Sequence, residues 1–174
     1  MILGITISSI MFDSDLTNRA EKILNFAKAK QIKFAFAESC TGGLLSALFT
    51  SISGSSKAVE RGFVTYCNRA KNEMLGVKNK TLESFGAVSK ETAKEMALGA
   101  IKNSQADVAI SITGIAGPTG GSAEKPVGLV YIGFSYDKKT KVKKFNFTGN
   151  RNEIRRSAID AVLEILENEL ANSV

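Results

Sequence analysis

The chain has 174 residues, 44% hydrophobic and 23% charged, with two cysteines and no histidine. That length supports one domain with a substantial core, and two separate cysteines without histidine leave no expected metal site or disulfide framework and suit a reducing cytoplasm. The net charge of +6 is spread along the sequence instead of gathering on one face with interleaved aromatics, so nucleic acid is not an expected partner.

Met1 to Phe12 is apolar, but no Lys or Arg precedes Arg19, so a signal peptide's positive start is missing. The stretch is also too short to span a bilayer. Residues 1–12 are expected to form a loosely packed extension ahead of a domain over 13–174, with no membrane as partner. Leu16, Ala20, Ile23, Leu24 and Ala27 recur at helical spacing, with Asp13 or Ser14 as cap. Ile32 to Ala37 reads as a short strand and Gly43 to about Ile52 as a helix. Ala58 to Tyr66 reads as a strand interrupted by Gly62, and Asn68 to Leu75 as a short helix ending at Gly76. Ser89 caps a longer helix with Ala93, Met96, Ala97, Ala100 and Ile101 on one face. Asp107 to Thr113 is a buried-type strand, followed by a glycine-rich loop from Gly114 to Lys125. Val127 to Tyr136 and Lys141 to Phe147 pair as a hairpin, and Ile154 to Leu170 closes the chain as an amphipathic helix. The run from Lys138 to Lys144 is read as a hairpin tip and exposed edge strand, where lysines discourage edge pairing. The pattern predicts an α/β fold: a three-layer α/β/α sandwich with a mixed, partly antiparallel sheet.

Three segments carry candidate chemistry. In Ala37-Glu38-Ser39-Cys40-Thr41-Gly42-Gly43 two hydroxyls and a thiol sit where a strand turns into a helix start. Unpaired backbone N–H groups and a positive dipole end favour anions there. Ser39 or Thr41 serves equally well as a plain helix cap, but two adjacent glycines fit a main chain that a ligand approaches closely. With no histidine, a Ser39 nucleophile needs another base. Cys40 is the alternative nucleophile, without the imidazole that a Cys–His pair requires; Ser–Lys is an established variant. In Tyr66-Cys67-Asn68-Arg69-Ala70-Lys71, a tyrosine ends a strand and a lysine lies one turn into the next helix. Lysine acts as a base only when burial or a cation depresses its pKa, and an exposed lysine beside a half-buried tyrosine is the plainer reading. Thr113 to Ser122 holds four glycines in the eight residues from Gly114 to Gly121. It matches neither the P-loop nor the dinucleotide fingerprint, yet a glycine-rich loop after a strand suits a phosphate.

In this order the segments resemble the C-terminal domain of the CinA (competence/damage-inducible protein) family, in its stand-alone form as a nicotinamide-nucleotide amidase. The residues carrying the resemblance are Ala37 to Gly43, Gly54-Ser55-Ser56, Arg61 to Tyr66 with Asn68 and Lys71, Gly86 to Ser89, and Thr113 to Pro118 through Gly120-Gly121 to Lys125-Pro126-Val127-Gly128. It covers roughly residues 16–170. Each motif alone is weak; the ordered set is specific.

The resemblance implies deamidation of nicotinamide mononucleotide to nicotinic acid mononucleotide and ammonia in pyridine-nucleotide salvage, without metal or cofactor. Ser39 would be the nucleophile and Tyr66 with Lys71 its activating pair, Lys71 being the base on chemical grounds. Backbone N–H groups near Thr41 to Gly43 would receive the oxyanion. The loop from Gly114 to Gly121 and Lys125 would hold the phosphate. Substrate contacts are thereby expected at Glu38, Thr41, Gly42, Gly43, Arg61, Asn68, Thr113, Gly114, Gly117, Gly120, Gly121 and Lys125. A cytoplasmic location follows, and a homodimer is implied only by similarity to relatives. One departure is Gly149-Asn150-Arg151, where family members often carry Gly-Asp-Arg before the last helix; Asn caps helices about as well as Asp. The N-terminal domain of longer relatives has no counterpart in these residues, so its activity is not expected here. The competing readings are a non-catalytic nucleotide-binding or regulatory module linked to competence or DNA damage, and a DNA-associated or protein-interaction role.

Overall fold

The computed structural model describes residues 12–171; the expectation of a loose N-terminal extension lies outside them except at Phe12, which is buried. Helix α1 (Ser14–Lys30) starts where the Asp13 carboxylate accepts the Leu16 N–H at 3.0 Å, and ends at Gln31 in the left-handed region. Strand β1 (Phe34–Glu38) is buried along its whole length, and α2 (Leu44–Thr50) follows after a five-residue turn. A 3-10 turn (Ser55–Lys57) leads into β2 (Val59–Val64), which feeds α3 (Asn68–Leu75). Next come α4 (Asn79–Phe85) and α5 (Lys90–Lys102), then β3 (Val108–Gly114). The hairpin β4 (Leu129–Tyr136) and β5 (Lys139–Asn146) precedes α6 (Arg151–Ala171).

The five strands are ordered β2-β1-β3-β4-β5. Strand β1 runs parallel to β2 and β3, and β4 and β5 are antiparallel, so the sheet is mixed. Glu38 at the end of β1 is level with Val64 of β2 and Ile112 of β3. The carboxyl ends of all three parallel strands therefore open on one edge, where such sheets place ligands.

Side-chain alternation separates the two faces. Phe34, Phe36, Val108, Ile110, Ile112, Ile132 and Phe134 point to one side, where they pack with the apolar faces of α1, α2 and α6. Ala35, Ala37 and Ala109 point to the other, beside Met96 and Ala100 of α5 and Leu75 of α3. Large strand residues thus fill one face of the sheet and small ones the other. On the small face Ser111 Oγ donates to the Ala93 carbonyl at 2.6 Å, joining strand and helix backbone directly. Helices thus cover both faces, giving the three layers. The lysine-rich β5 is the outer strand, and its hairpin turns at Asp137 and Lys138, both at positive φ as a two-residue turn demands. Lys141 pairs with Glu169 of α6 at 2.7 Å. No helix among the described residues is long and apolar enough to cross a membrane.

Helix α4 is the element that sequence periodicity missed. It has seven residues, and only Thr81 and Leu82 are buried, too few to register a period. Helices α3 and α5 meet where Gly99 leaves room for the Leu75 carbonyl; a Cβ there would collide with it. Gly99→Ala should therefore destabilise the fold by about 1–3 kcal/mol, the usual range for overpacking. Urea unfolding checks this, and an unchanged midpoint would mean that the two helices part freely.

Candidate active site

The turn between β1 and α2 is organised by a buried carboxylate. Glu38 is 1% exposed, and its oxygens accept the N–H groups of Gly43 (3.1 Å), Leu45 (3.0 Å) and Ser46 (2.8 Å) and the Ser46 hydroxyl (2.7 Å). These are the donors that a helix start leaves unpaired, so Glu38 takes the positive end of α2 for itself. Gly42 and Gly43 have φ of 59° and 95°, a left-handed path that glycine follows without strain. The glycine pair is explained by chain reversal, not by close approach of a ligand. The Gly42 N–H donates to the Ser39 carbonyl at 3.0 Å, and Gly43 is tied to Glu38. Of the N–H groups near Thr41 to Gly43 expected to receive an oxyanion, those of Gly42 and Gly43 are thus engaged within the turn.

Ser39 follows directly. Its own N–H donates to the Ile112 carbonyl of β3 at 2.9 Å, which fixes the residue beyond the end of β1. Across from it lies Lys71, brought in from the second turn of α3. The Cys67 sulfur caps that helix by accepting the Ala70 N–H. Lys71 is 1% exposed. Its Nζ is 2.9 Å from Ser39 Oγ, 2.8 Å from the Thr65 carbonyl and 3.4 Å from the Tyr66 carbonyl. A neutral amine has two hydrogens and one lone pair. The two carbonyls can take the hydrogens, which turns the lone pair toward the serine hydroxyl.

Burial pushes the Lys71 pKa down, and the opposing pull of the Cys40 and Cys67 thiols is the lesser influence. Burial likewise pushes the Cys40 thiol up to about 11. The thiolate, the reactive form, is disfavoured there, so Ser39 is the better nucleophile of the two.

Ser39 and Lys71 lie at the bottom of a cleft of about 250 Å³. Thr113, Gly114, Ile115, Ala116, Gly117, Thr119 and Gly120 form one wall, Ala87 and Val88 from the α4–α5 connection another, and Tyr66 and Arg151 the mouth. The Thr113 hydroxyl ties the first wall to the second by donating to the Ala87 carbonyl at 2.7 Å. Arg151 spans the mouth, donating to the Gly117 carbonyl at 2.9 Å and to the Tyr66 hydroxyl at 2.8 Å. Among the described residues the lining includes the guanidinium of Arg151 and no Asp or Glu, a balance that attracts an anion.

Of the residues singled out from sequence, the cleft gathers Ser39, Tyr66, Lys71, Thr113, Gly114, Gly117 and Gly120. The others lie elsewhere. Glu38 is spent on α2, and Thr41 is fully buried with its carbonyl held by Arg155 at 2.8 Å. Gly42 and Gly43 shape the turn. Arg61, midway along β2, is paired with Glu60 and donates to the Asn103 carbonyl, while Asn68 is exposed at the start of α3. Gly121 packs against the Val127 backbone. Lys125 Nζ donates to the Phe85 carbonyl at 2.6 Å, which ties the glycine-rich loop to the end of α4 and engages the expected phosphate cation. Tyr66 contributes its backbone carbonyl to Lys71, and its hydroxyl meets Arg151. Arg151 is the residue that sequence reasoning passed over. Its signal was the Gly149-Asn150-Arg151 segment: Asn150 Oδ1 caps α6 by accepting the Asn152 and Glu153 N–H groups at 2.9 and 3.1 Å, which aims the next residue at the cleft.

The lowered Lys71 pKa has a sign that stability can report. Unfolded, the amine keeps its proton up to its ordinary value of 10.5; folded, it releases it at lower pH. Between the two values the unfolded chain binds more protons, so the Lys71 contribution to stability rises with pH. The unfolding free energy of the wild type relative to Lys71→Met should grow through the alkaline range and level off above 10.5. A difference independent of pH would mean that Lys71 keeps its ordinary proton affinity.

The family model of the CinA C-terminal domain matches residues 16–170. A CinA-like protein of Endomicrobium trichonymphae is 50% identical over 159 residues, which is 91% of this chain and 37% of that protein. A putative competence-damage inducible protein of Clostridium perfringens is 52% identical over 141 residues, 81% of this chain and 34% of its own length. The chain therefore spans little more than a third of these relatives. Among solved structures, the competence/damage inducible protein CihA of Agrobacterium tumefaciens superposes with a TM-score of 0.88 at 45% identity, covering 90% of this chain and 96% of that one. The competence damage-inducible protein A of Klebsiella pneumoniae gives 0.87 at 30% identity, over 90% and 97% of the two chains.

Proposed function

We propose that this chain, which belongs to the CinA C-terminal domain family, is an amidohydrolase that converts nicotinamide mononucleotide to nicotinic acid mononucleotide and ammonia, in the cytoplasm and within pyridine-nucleotide salvage. The observation that carries the reading is the 2.9 Å approach of a buried lysine amine to the Ser39 hydroxyl at the floor of an acid-free cleft.

Ser39 Oγ attacks the carboxamide carbon while Lys71 Nζ takes the hydroxyl proton. The carbonyl oxygen becomes an oxyanion. Gly42 and Gly43 are engaged in the turn, so its donors are the N–H groups of Cys40 and Thr41, directly after the nucleophile. Preorganised donors of this kind are worth about 3–4 kcal/mol each in acyl transfer. The Lys71 ammonium then gives its proton to the departing nitrogen, the carbon–nitrogen bond breaks, and ammonia leaves an ester on Ser39. Water attacks that ester, Lys71 takes a proton from it, and collapse returns the proton to Ser39 and frees the carboxylate. The pyridinium ring withdraws electrons from its amide, which suits a nucleophile activated only by an amine. Arg151 supplies the charge for the phosphate in place of Lys125, and the glycine-rich loop lies beside it.

Purified protein should release ammonia from nicotinamide mononucleotide without added metal, and Ser39→Ala should lower kcat by roughly 10³-fold or more with the fold intact. Full activity in that variant removes Ser39 as nucleophile. Calorimetric binding without any turnover would instead favour a nucleotide-binding regulatory module. The wild-type kcat/KM should rise with pH along a limb centred below 10.5, because the reacting form of Lys71 is the free amine.

Arg151→Met should raise KM for the nucleotide about tenfold or more, the value of a charge-assisted hydrogen bond, and leave turnover of the unphosphorylated riboside unchanged. Equal losses on both substrates would place the phosphate elsewhere.

A further inference from the structure

We infer that Arg155, which lies outside the cleft, is a positioning residue for the catalytic turn: by gripping the Thr41 carbonyl it holds the Cys40 and Thr41 N–H groups where the oxyanion forms. The inference rests on the amidohydrolase reading above and extends it to a side chain that the substrate does not reach.

Arg151 and Arg155 are four residues apart on α6, on one face of the helix, yet they serve different places. Arg151 lines the cleft. Arg155 lines a separate cavity of about 350 Å³ whose apolar walls include Phe12, Leu16, Leu44 and Ile159. From there one guanidinium nitrogen donates to the Thr41 carbonyl at 2.8 Å, across 114 positions of sequence. The Leu44 N–H donates to the same oxygen at 3.2 Å. Thr41 is wholly buried, and among the described residues its own hydroxyl has no hydrogen-bond partner. Its side chain therefore contributes no polar restraint, and the carbonyl is the handle by which the residue is held.

The need for such a handle follows from the sequence. Thr41 precedes two glycines, the most permissive backbone available, and Glu38 fixes only the far end of the turn, from Gly43 onward. A bond from a separate helix restrains the near end, where Cys40 and Thr41 lie. Oxyanion donors work because they are already in place when charge develops, and small misplacements cost much of the rate. Charge adds to geometry. Among the described residues Arg155 has no ion-pair partner, and its buried Nε has no hydrogen-bond acceptor. Its field reaches the turn, since it favours the anionic form of Cys40; an oxyanion beside Ser39 gains from the same sign of charge.

The test compares Arg155→Met with the milder Arg155→Gln. On nicotinamide mononucleotide the Met variant should lose about 10- to 100-fold in kcat with KM within about twofold, the signature of an interaction that matters in the transition state. The Gln variant should lose less, in the same direction, and it carries the test if the Met variant does not fold. Labelling of Ser39 by a fluorophosphonate, followed by intact mass, should slow in parallel, because that reaction uses the same nucleophile and oxyanion donors without the nucleotide. Wild-type kcat and labelling rate in the variants, or a loss confined to KM, overturn the inference. A wild type inert to the nucleotide but labelled at an Arg155-dependent rate overturns the substrate reading and leaves the positioning role standing. A wild type that does neither overturns both.

Discussion

The site depends on one buried amine. In the proposed reaction a chain without histidine has to draw the proton from its serine with something else, and an ordinary lysine is protonated at neutral pH and useless as a base. Burial corrects this, since a desolvated ammonium is costly and the neutral form gains. Several features of the fold serve that end. Strand β2 stops at Val64, which leaves the Thr65 and Tyr66 carbonyls free to accept from Lys71. Helix α3 is capped by Cys67 and pressed against α5 where Gly99 meets Leu75, so the lysine has little room to swing outward. Among the described residues no carboxylate lines the cleft to favour the ammonium.

A second constraint is the division of work at the β1–α2 turn. The start of a helix is a ready anion site, and here it is already occupied by the chain's own carboxylate, Glu38. That choice anchors the turn at one end and leaves the residues just after Ser39 as the donors available to the proposed reaction. Two arginines one turn apart on α6 complete the surroundings. Arg151 closes the mouth between Tyr66 and Gly117, and Arg155 holds the turn from a separate cavity. Helix α6 comes last in the chain, and its capped start at Asn150 is what brings both side chains to bear.

Much of this architecture was legible in the residues. The strand–turn–helix around Ser39, the helix that ends at Gly76 and the hairpin with its lysine edge all carried local signals of periodicity, capping or turn chemistry. The partners of long side chains were not legible. Lys125 reads as a phosphate cation until it is found donating to the Phe85 carbonyl, and Arg61 reads as a substrate contact until it is found beside Glu60. A flexible side chain several bonds long can reach many acceptors, and sequence spacing does not say which tertiary neighbour it will meet. Helix α4 was missed for a different reason: two buried residues define no period. Glu38 is expected at the substrate only through the resemblance, whereas its four donors all come from within eight residues of its own chain.

The state of the Lys71 amine can be read directly. Protein labelled with 13C-lysine, with the Lys71 Cε resonance assigned by its loss in Lys71→Met, can be titrated by NMR. A midpoint clearly below the ordinary 10.5 is the result expected of an amine that burial keeps available to Ser39. A midpoint at or above that value would contradict it, for the amine would then be a bound cation and the serine would have no base.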